Sequence, residues 1–299
     1  MPRALVTGAT GYVGSCLVTG LVRKGWDVSI VMRPSSSVGL LSSVLDKIAI
    51  YKKDDPSWGI REIVGNAKPD VIFHLASMVV NDHSQEDIRA LVDTNITFGT
   101  ELLDAMVSHG VTKIVSTGTH WEHFDNSDYS PVNLYAATKH AFQNILQYYT
   151  DAKGISAINL KLFDPYGPND PRPKLLNLLM ETIQTGKTLA MSYGEQKIDL
   201  VYIDDVVNAY IISAKRLIEC RVAGLEVYGV GTGQSISIKD LVAMIEQVIG
   251  RPLNIEWGAR PYRAREVLVP WSKGRYLPGW KVSKPLITRL HELMETRDS

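Results

Sequence analysis

The sequence predicts an α/β fold: a doubly wound parallel sheet followed by a smaller C-terminal α/β lobe. Three features carry that prediction. The first is the opening segment Val6–Ser15, VTGATGYVGS. Here Gly8, Gly11 and Gly14 recur at spacings of three, between an apolar run, Ala4–Val6, and an apolar-periodic stretch, Tyr12–Val22. That order is strand, tight turn and helix, and it turns backbone N–H groups and a positive dipole end toward any approaching anion. The second is the rhythm of the first half, where short apolar runs alternate with helical patterns as βαβ units require. The third is the loss of that rhythm after Asp164, where DPYGPNDPRP, rich in proline and glycine, reads as a long loop.

Taken in order, strands are expected at Ala4–Thr7, Asp27–Met32, Lys47–Tyr51, Val71–His74, Lys113–Ser116 and Ser156–Leu162. Long helices are expected between them at about Ile88–His109 and Leu134–Ala152. Beyond the loop, helical patterns at Lys174–Thr185, Val206–Ile218, Ile238–Ile249 and Pro285–Met294 mix with short strands at Glu226–Val230 and Leu253–Trp257. The expected organisation is a Rossmann-like nucleotide-binding domain over residues 1–163 and a mainly substrate-binding lobe over residues 164–299. The helix at about 206–218 can pack back on the sheet. Ligands of such sheets bind outside the carboxyl ends of the strands.

The bulk composition narrows the partners. Lysine plus arginine and aspartate plus glutamate balance at 32 each among 299 residues, so nothing electrostatic points to nucleic acid or an anionic membrane. An apolar content of 45% is ordinary for a soluble domain. No apolar run is long enough to span a bilayer, and no signal sequence precedes the first strand, so a cytoplasmic location is expected. Cys16 and Cys220 are far apart and lack metal-ligand spacing, so they read as buried thiols of a reducing cytosol. No metal is expected.

The glycine turn is suited to a dinucleotide pyrophosphate, although its G-x-x-G-x-x-G spacing differs from G-x-G-x-x-G. The end of the second strand chooses between cofactors. An acid there would bond the ribose 2′-hydroxyl of NAD. The sequence instead has VMRPSSS, and the Arg33 guanidinium with the hydroxyls of Ser35 and Ser36 suits a 2′-phosphate. NADP is therefore the expected cofactor. Asp54 or Asp55, after the third strand, has two roles open to it: bonding the adenine amino group, for which Asp54 is the candidate, or capping the following helix.

For chemistry, YAATK places Tyr135 and Lys139 four apart on one helical face. A lysine ammonium beside a phenol favours the phenolate and lowers its pKa, which suits tyrosine to proton transfer near neutrality. Upstream, the fifth strand ends in IVSTGT, where Thr117 can hydrogen-bond a substrate carbonyl or hydroxyl. Trp121 in the following THWEHF segment can offer a flat face to a sugar. His120 and His123 there lack a third ligand for a metal.

These stretches together resemble the extended short-chain dehydrogenases/reductases that act on nucleotide sugars. The resemblance rests on TGATGYVG (Thr7–Gly14), HLAS (His74–Ser77), NITFGT (Asn95–Thr100), VSTGT (Val115–Thr119), YAATK (Tyr135–Lys139), LKLFDPYGPND (Leu160–Asp170), DLVYIDDVVNAY (Asp199–Tyr210) and Arg260–Pro261. They span nearly the whole chain in the family's order. The resemblance implies Thr117, Tyr135 and Lys139 as the catalytic trio, and an asparagine, Asn95, that steadies the site. It implies cofactor contacts from Gly8, Thr10, Gly11, Tyr12, Val13, Leu75, Ala76, Ser77, Asn95, Tyr135, Lys139 and Phe163. Substrate contacts are implied from Ser77, Thr117, Gly118, Thr119, Trp121, Tyr135 and Asp164, and from Arg260 at the diphosphate. A homodimer built on the two long helices is also implied; Leu91, Leu102, Phe142 and Leu146 can supply part of that contact or can face only the sheet.

Departures from the family pattern narrow the reaction. Where nucleotide-sugar 4,6-dehydratases carry an Asp-Glu pair after the threonine, this chain has Gly118 and Thr119, which argues against dehydration. Asp164 replaces an asparagine that usually meets the diphosphate. Ile198 replaces an arginine in the KIDLVYIDD segment, leaving Lys197 as a possible helper. The branch most resembled is the NADPH-dependent reductases of nucleoside-diphospho-4-keto-6-deoxyhexoses, which supply deoxyhexoses such as those of O-antigen polysaccharide. Two rivals are an epimerase with retained cofactor and a non-enzymatic NADP sensor; the tyrosine–lysine pair argues against the sensor.

Overall fold

The computed structural model describes residues 1–52 and 59–298. Along the chain run β1 (Arg3–Thr7), α1 (Tyr12–Arg23), β2 (Asp27–Met32), β3 (Ile48–Lys52), α2 (Ile60–Ala67), β4 (Val71–His74), α3 (Asp87–Val92), α4 (Phe98–Ser108), β5 (Lys113–Thr119), α5 (Leu134–Lys153) and β6 (Ser156–Leu162). There follow β7 (Asp164–Tyr166), α6 (Leu175–Thr185), β8 (Leu189–Ala190), β9 (Lys197–Ile198), β10 (Leu200–Tyr202), α7 (Ile203–Ile218), β11 (Leu225–Val230), β12 (Ile236–Ser237), α8 (Ile238–Ile249), β13 (Ile255–Glu256) and α9 (Leu286–Asp298). Among the described residues, seven strands form one parallel sheet in the order β11-β6-β5-β4-β1-β2-β3.

The sheet's strands are apolar throughout because both faces are covered. Side chains alternate between the faces. Val6, Ile30, Phe73, Val115 and Ile158 pack in a core with residues of α1 and α7. Their neighbours Leu5, Val31, Ile72, Ile114 and Ala157 pack in a second core with residues of α2, α4 and α5. A third core, including Tyr166, Leu179, Leu200, Leu241 and Leu290, holds the C-terminal lobe together.

The structure departs from expectation in three places. The strand expected near Glu226 does not belong to the lobe: β11 pairs with β6, from Leu225 opposite Ala157 to Val230 opposite Leu162. With α7 also packed on the sheet, the nucleotide-binding core draws on residues well beyond 163. The single helix expected near 88–109 is interrupted by a π-helical turn at Asp93–Thr97, and such turns cluster at functional sites. Finally, Cys16 is half-buried and Cys220 exposed, where both were expected to be buried. Of the two roles open to Leu91, Leu102, Phe142 and Leu146, the inward one holds: each is at most 1% exposed in the lone chain, and Leu102, Phe142 and Leu146 pack in the core with sheet residues. A dimer contact cannot rest on those four side chains.

Candidate active site

A cavity of about 460 Å³ opens at the carboxyl ends of the strands and runs from the glycine turn into the C-terminal lobe. Gly8, Gly11, Tyr12, Val13, Leu75, Ser77, Tyr135 and Phe163 line it. Gly8 has φ +71°, and a Cβ there would stand 2.5 Å from the Ala76 nitrogen. At Gly14 a Cβ would stand 2.1 Å from the Gly8 carbonyl oxygen. Gly11 caps α1 without a side-chain hydrogen bond, which leaves the first-turn N–H groups to an anion. The turn therefore fits a pyrophosphate. Arg33 and Ser35 are exposed and Ser36 is half-buried just beyond β2, in a turn closed by Ser36 N–H donating to the Arg33 carbonyl at 3.0 Å. They stand outside the cavity wall, as does half-buried Thr10. Ala76 is tied back by its N–H to Thr7 Oγ1 at 3.3 Å. Asp54 lies outside the described residues.

Asn95 is 1% exposed, and its amide is fully occupied. Its oxygen accepts from Met78 N–H at 2.7 Å and Ser77 Oγ at 3.1 Å, and its nitrogen donates to Met78 O and Thr138 Oγ1. It thus pins the strand-end loop after β4 to helix α5 rather than offering atoms to a cofactor.

Helix α5 begins at an Asn133 cap that accepts from Ala136 N–H at 2.9 Å. The same side chain donates to the carbonyls of Val80 and Asn81. This fixes the first turn, where Tyr135 reaches the cavity. Lys139 lies one turn on, 2% exposed. The phenol is not governed by the lysine as expected. Burial pushes the Tyr135 pKa up and the Glu122 carboxylate pushes it the same way, while hydrogen bonding from the Thr119 and Ser77 hydroxyls opposes both. Burial pushes Lys139 down to about 8 against the pull of Glu122. Desolvation is the largest influence on both groups.

The two threonines of β5 differ in what their hydroxyls have left to give. Thr117 Oγ1 lies 3.1 Å from the His74 carbonyl oxygen and 2.6 Å from the Tyr210 phenol oxygen. Thr117 has a single proton for these two partners, so its hydroxyl is engaged whether the His74 carbonyl or the Tyr210 phenol takes it. Thr119 Oγ1 accepts from Trp121 N–H at 3.3 Å, which leaves its own proton free. Both line the cavity, with Gly118 between them.

Behind Thr119 lies a buried charged cluster. Glu122, with 0% of its side chain exposed, accepts from Thr119 N–H at 2.9 Å, from Lys161 Nζ at 2.8 Å and from His140 Nδ1 at 3.0 Å. Lys161 also lies 2.8 Å from His123 Nε2. Because the other ring nitrogen of His123 faces the Ser127 carbonyl at 3.1 Å and must donate to it, Nε2 accepts from the ammonium. His123 stacks on Trp271 at 4.0 Å. A Cβ at Gly118 would stand 2.6 Å from Asn159 Oδ1 and 2.9 Å from Glu122 Oε1. The position where dehydratases carry a carboxylate therefore has no room for one.

At the substrate end, Trp121 meets the Tyr135 ring edge-on at 6.5 Å. Asp164 lines the cavity, and burial raises its pKa to about 6 against the pull of Lys174. His120 stacks flat on Phe163 at 4.6 Å, and burial holds its pKa near 4, so it is neutral. Arg260, expected at the diphosphate, and Lys197, expected as a helper, are both elsewhere. Ile198 faces the cavity, so its strand neighbour Lys197 faces out and is exposed. Arg260 is also exposed and absent from the cavity wall. The cations that line it are Arg172 and Lys174. Arg172 donates to both Asp170 carboxylate oxygens from Nε and Nη2, each at 2.7 Å, whereas Lys174 stands over the Trp121 ring at 6.0 Å. Sequence reasoning missed Lys174, Glu122 and Lys161; PRPK and HWEH offered only isolated charges, and the pairing of Glu122 with Lys161 spans 39 residues. Among the described residues no group of three ligands could hold a metal, and no helix is long and apolar enough to cross a membrane.

Known proteins match this geometry. Residues 4–222 match the NAD dependent epimerase/dehydratase family. A CDP-abequose synthase of Yersinia pseudotuberculosis is 28% identical over 277 residues, covering 91% of this chain and 93% of that protein. A UDP-glucose 4-epimerase of Mycolicibacterium smegmatis is 27% identical, covering 84% and 83%. Among solved structures, the UDP-glucose 4-epimerase of Thermus thermophilus in complex with NAD superimposes with a TM-score of 0.82 at 21% identity, covering 98% of each chain.

Proposed function

Since the chain belongs to the NAD dependent epimerase/dehydratase family, we propose that it reduces the C4 ketone of a nucleoside-diphosphate-4-keto-6-deoxyhexose to the alcohol. NADPH supplies the hydride to C4. The chain's residues supply the rest: Tyr135 gives its phenolic proton to the C4 oxygen, and Lys139 holds the cofactor ribose and the charge beside the phenol. The sugar lies against Trp121, and Lys174 faces the diphosphate in place of the missing arginine. The observation that carries this reading is the Tyr135 phenol itself. It stands at the cavity wall in a setting that keeps it protonated, the state a proton donor needs at the start of a reduction. The crowding at Gly118 disfavours the dehydratase reaction, and the likeness to abequose synthases favours a reductase. A panel of nucleotide-linked 4-keto-6-deoxy sugars, assayed with NADPH and with NADH, tests it. Stoichiometric NADPH consumption is expected. Conversion of a nucleotide sugar without net cofactor consumption would make the chain an epimerase, the activity of its Mycolicibacterium relative.

The preference for NADPH rests on Arg33. Arg33→Ala should weaken NADPH binding by about 10- to 100-fold, the worth of a charge-assisted hydrogen bond, and leave NADH binding nearly unchanged. An unaltered NADPH/NADH ratio in titrations would remove Arg33 from the 2′-phosphate site.

Lys139 sets a pH limit. It is an ammonium below about 8 and neutral above. Cofactor affinity and turnover should therefore fall as pH rises through about 8. A profile flat to about pH 10, the range of an ordinary lysine, would contradict its role.

A further inference from the structure

We propose that Thr119, rather than Thr117, is the hydroxyl that meets the substrate oxygen beside Tyr135, and that Glu122 is the residue that positions it. This rests on Tyr135 as the proton donor. The argument begins with proton counting. A ketone oxygen can only accept, so the orienting hydroxyl must have a proton to donate. Thr117 has one proton and two partners for it, the His74 carbonyl at 3.1 Å and the Tyr210 phenol at 2.6 Å, so it is already engaged whichever of them takes it. Thr119 uses only its oxygen, toward the backbone N–H groups of the turn it caps, and its hydroxyl lies within reach of the Tyr135 phenol; the Ser77 hydroxyl is also there, but its proton goes to Asn95 Oδ1 at 3.1 Å.

The placement of Thr119 is over-determined. It stands at the last position of β5 and caps the 3₁₀ turn His120–Glu122 in a capping box, with Glu122 returning to the Thr119 N–H. Caps of this kind are usually solvated. Here the Glu122 carboxylate is sealed from water and needs its partners, because an isolated buried carboxylate is very costly. Lys161 reaches it from β6 and His140 from α5, one residue after Lys139. One carboxylate thus ties together the strand end that carries Thr119, the adjacent strand and the helix that carries Tyr135. Gly118 is the condition for this arrangement, since any side chain there would run into Glu122 and Asn159. The charged or titratable groups around the phenol are Glu122 from the turn, Tyr210 from α7 and Lys139 one turn along α5.

The first test needs no substrate. In protein labelled with 3-fluorotyrosine, the Tyr135 ¹⁹F resonance is assigned by its loss in Tyr135→Phe and followed through pH titration. Thr119→Val removes a hydrogen bond to the phenolate, so the midpoint should rise. Glu122→Gln keeps an acceptor for the Thr119 N–H and removes the charge, so the midpoint should fall. Thr117→Val should leave it in place. If Thr117→Val moves the midpoint and Thr119→Val does not, the assignment is overturned. The second test uses a turned-over nucleotide sugar. Thr119→Val should lose about 10- to 100-fold in kcat with KM little changed, Thr119→Ser should recover most of it, and Thr117→Val should lose less than Thr119→Val. The reverse order of the two threonines overturns the inference while leaving Tyr135 as donor. A fully active Tyr135→Phe overturns the donor itself, so the two failures are distinguishable. If Glu122→Gln is poorly folded, Glu122→Gln combined with Lys161→Met removes both charges, and the same fall in the midpoint is expected.

Discussion

Tyr135→Phe will keep the fold and bind NADPH as the parent does, yet lose about 10²- to 10⁴-fold in kcat, the usual contribution of a positioned general acid. The change removes one hydroxyl and almost no volume, so the packing of α5 against the sheet, where Phe142 and Leu146 are buried, is untouched. Its hydroxyl is not used to hold the backbone; Asn133 and Asn95 do that. The loss should therefore fall on kcat, with cofactor titration and thermal melting unchanged. A variant that turns over at the parent rate would end the reductase reading, because no other phenol lines the chemistry end of the cavity with a protonated oxygen beside Thr119. Tyr12, also on the wall, has its hydroxyl committed to the Pro168 carbonyl at 3.3 Å.

Lys161→Met should destabilise the protein by about 3–5 kcal/mol, because it leaves the Glu122 carboxylate sealed in the interior without its ammonium. For a chain of this size that amounts to a fall in Tm on the order of 10 °C. Adding Glu122→Gln should restore most of the loss, since the remaining amide can still accept from Thr119 and nothing charged is left unpaired. Paired melting curves of the single and double variants measure the effect. A single variant that melts with the parent would mean that water or His140 alone satisfies the carboxylate.

The parallel sheet was legible because its signals are local. Ala4–Val6 followed by a glycine turn is strand, turn and helix within a few residues, and the apolar runs of β2, β4 and β6 mark themselves. The tyrosine–lysine pair was legible for the same reason, being one helical turn apart. What escaped was decided by partners distant in sequence. The strand near Glu226 looks the same whether it pairs with β6 or with a lobe strand; its partner, not its composition, sets its place. The π-helical turn around Asn95 leaves the apolar periodicity almost unaltered. Ile198 was read as the residue replacing an arginine and Lys197 as a helper beside it, but only strand pairing shows which of two adjacent residues points inward, and it is Ile198. Thr117 and Thr119 are likewise indistinguishable as letters, and the difference lies in which hydroxyl already has its proton engaged.

The late arrival of β11 has a consequence for synthesis of the chain. Strand β6 ends at Leu162 and its edge partner begins at Leu225, an interval of 225 − 162 = 63 residues. At translation rates of about 5–20 residues per second, the outer edge of β6 waits roughly 3–13 s for its neighbour. For the first part of that interval, until α7 is complete at Ile218, the face that helix covers is also bare. A nascent chain in that state presents unpaired backbone groups and an apolar surface, the two features that recruit other chains. The window of greatest risk for aggregation therefore falls during elongation between β6 and β11. A ribosome stall placed within that interval should yield more insoluble or chaperone-bound product than one placed after Val230.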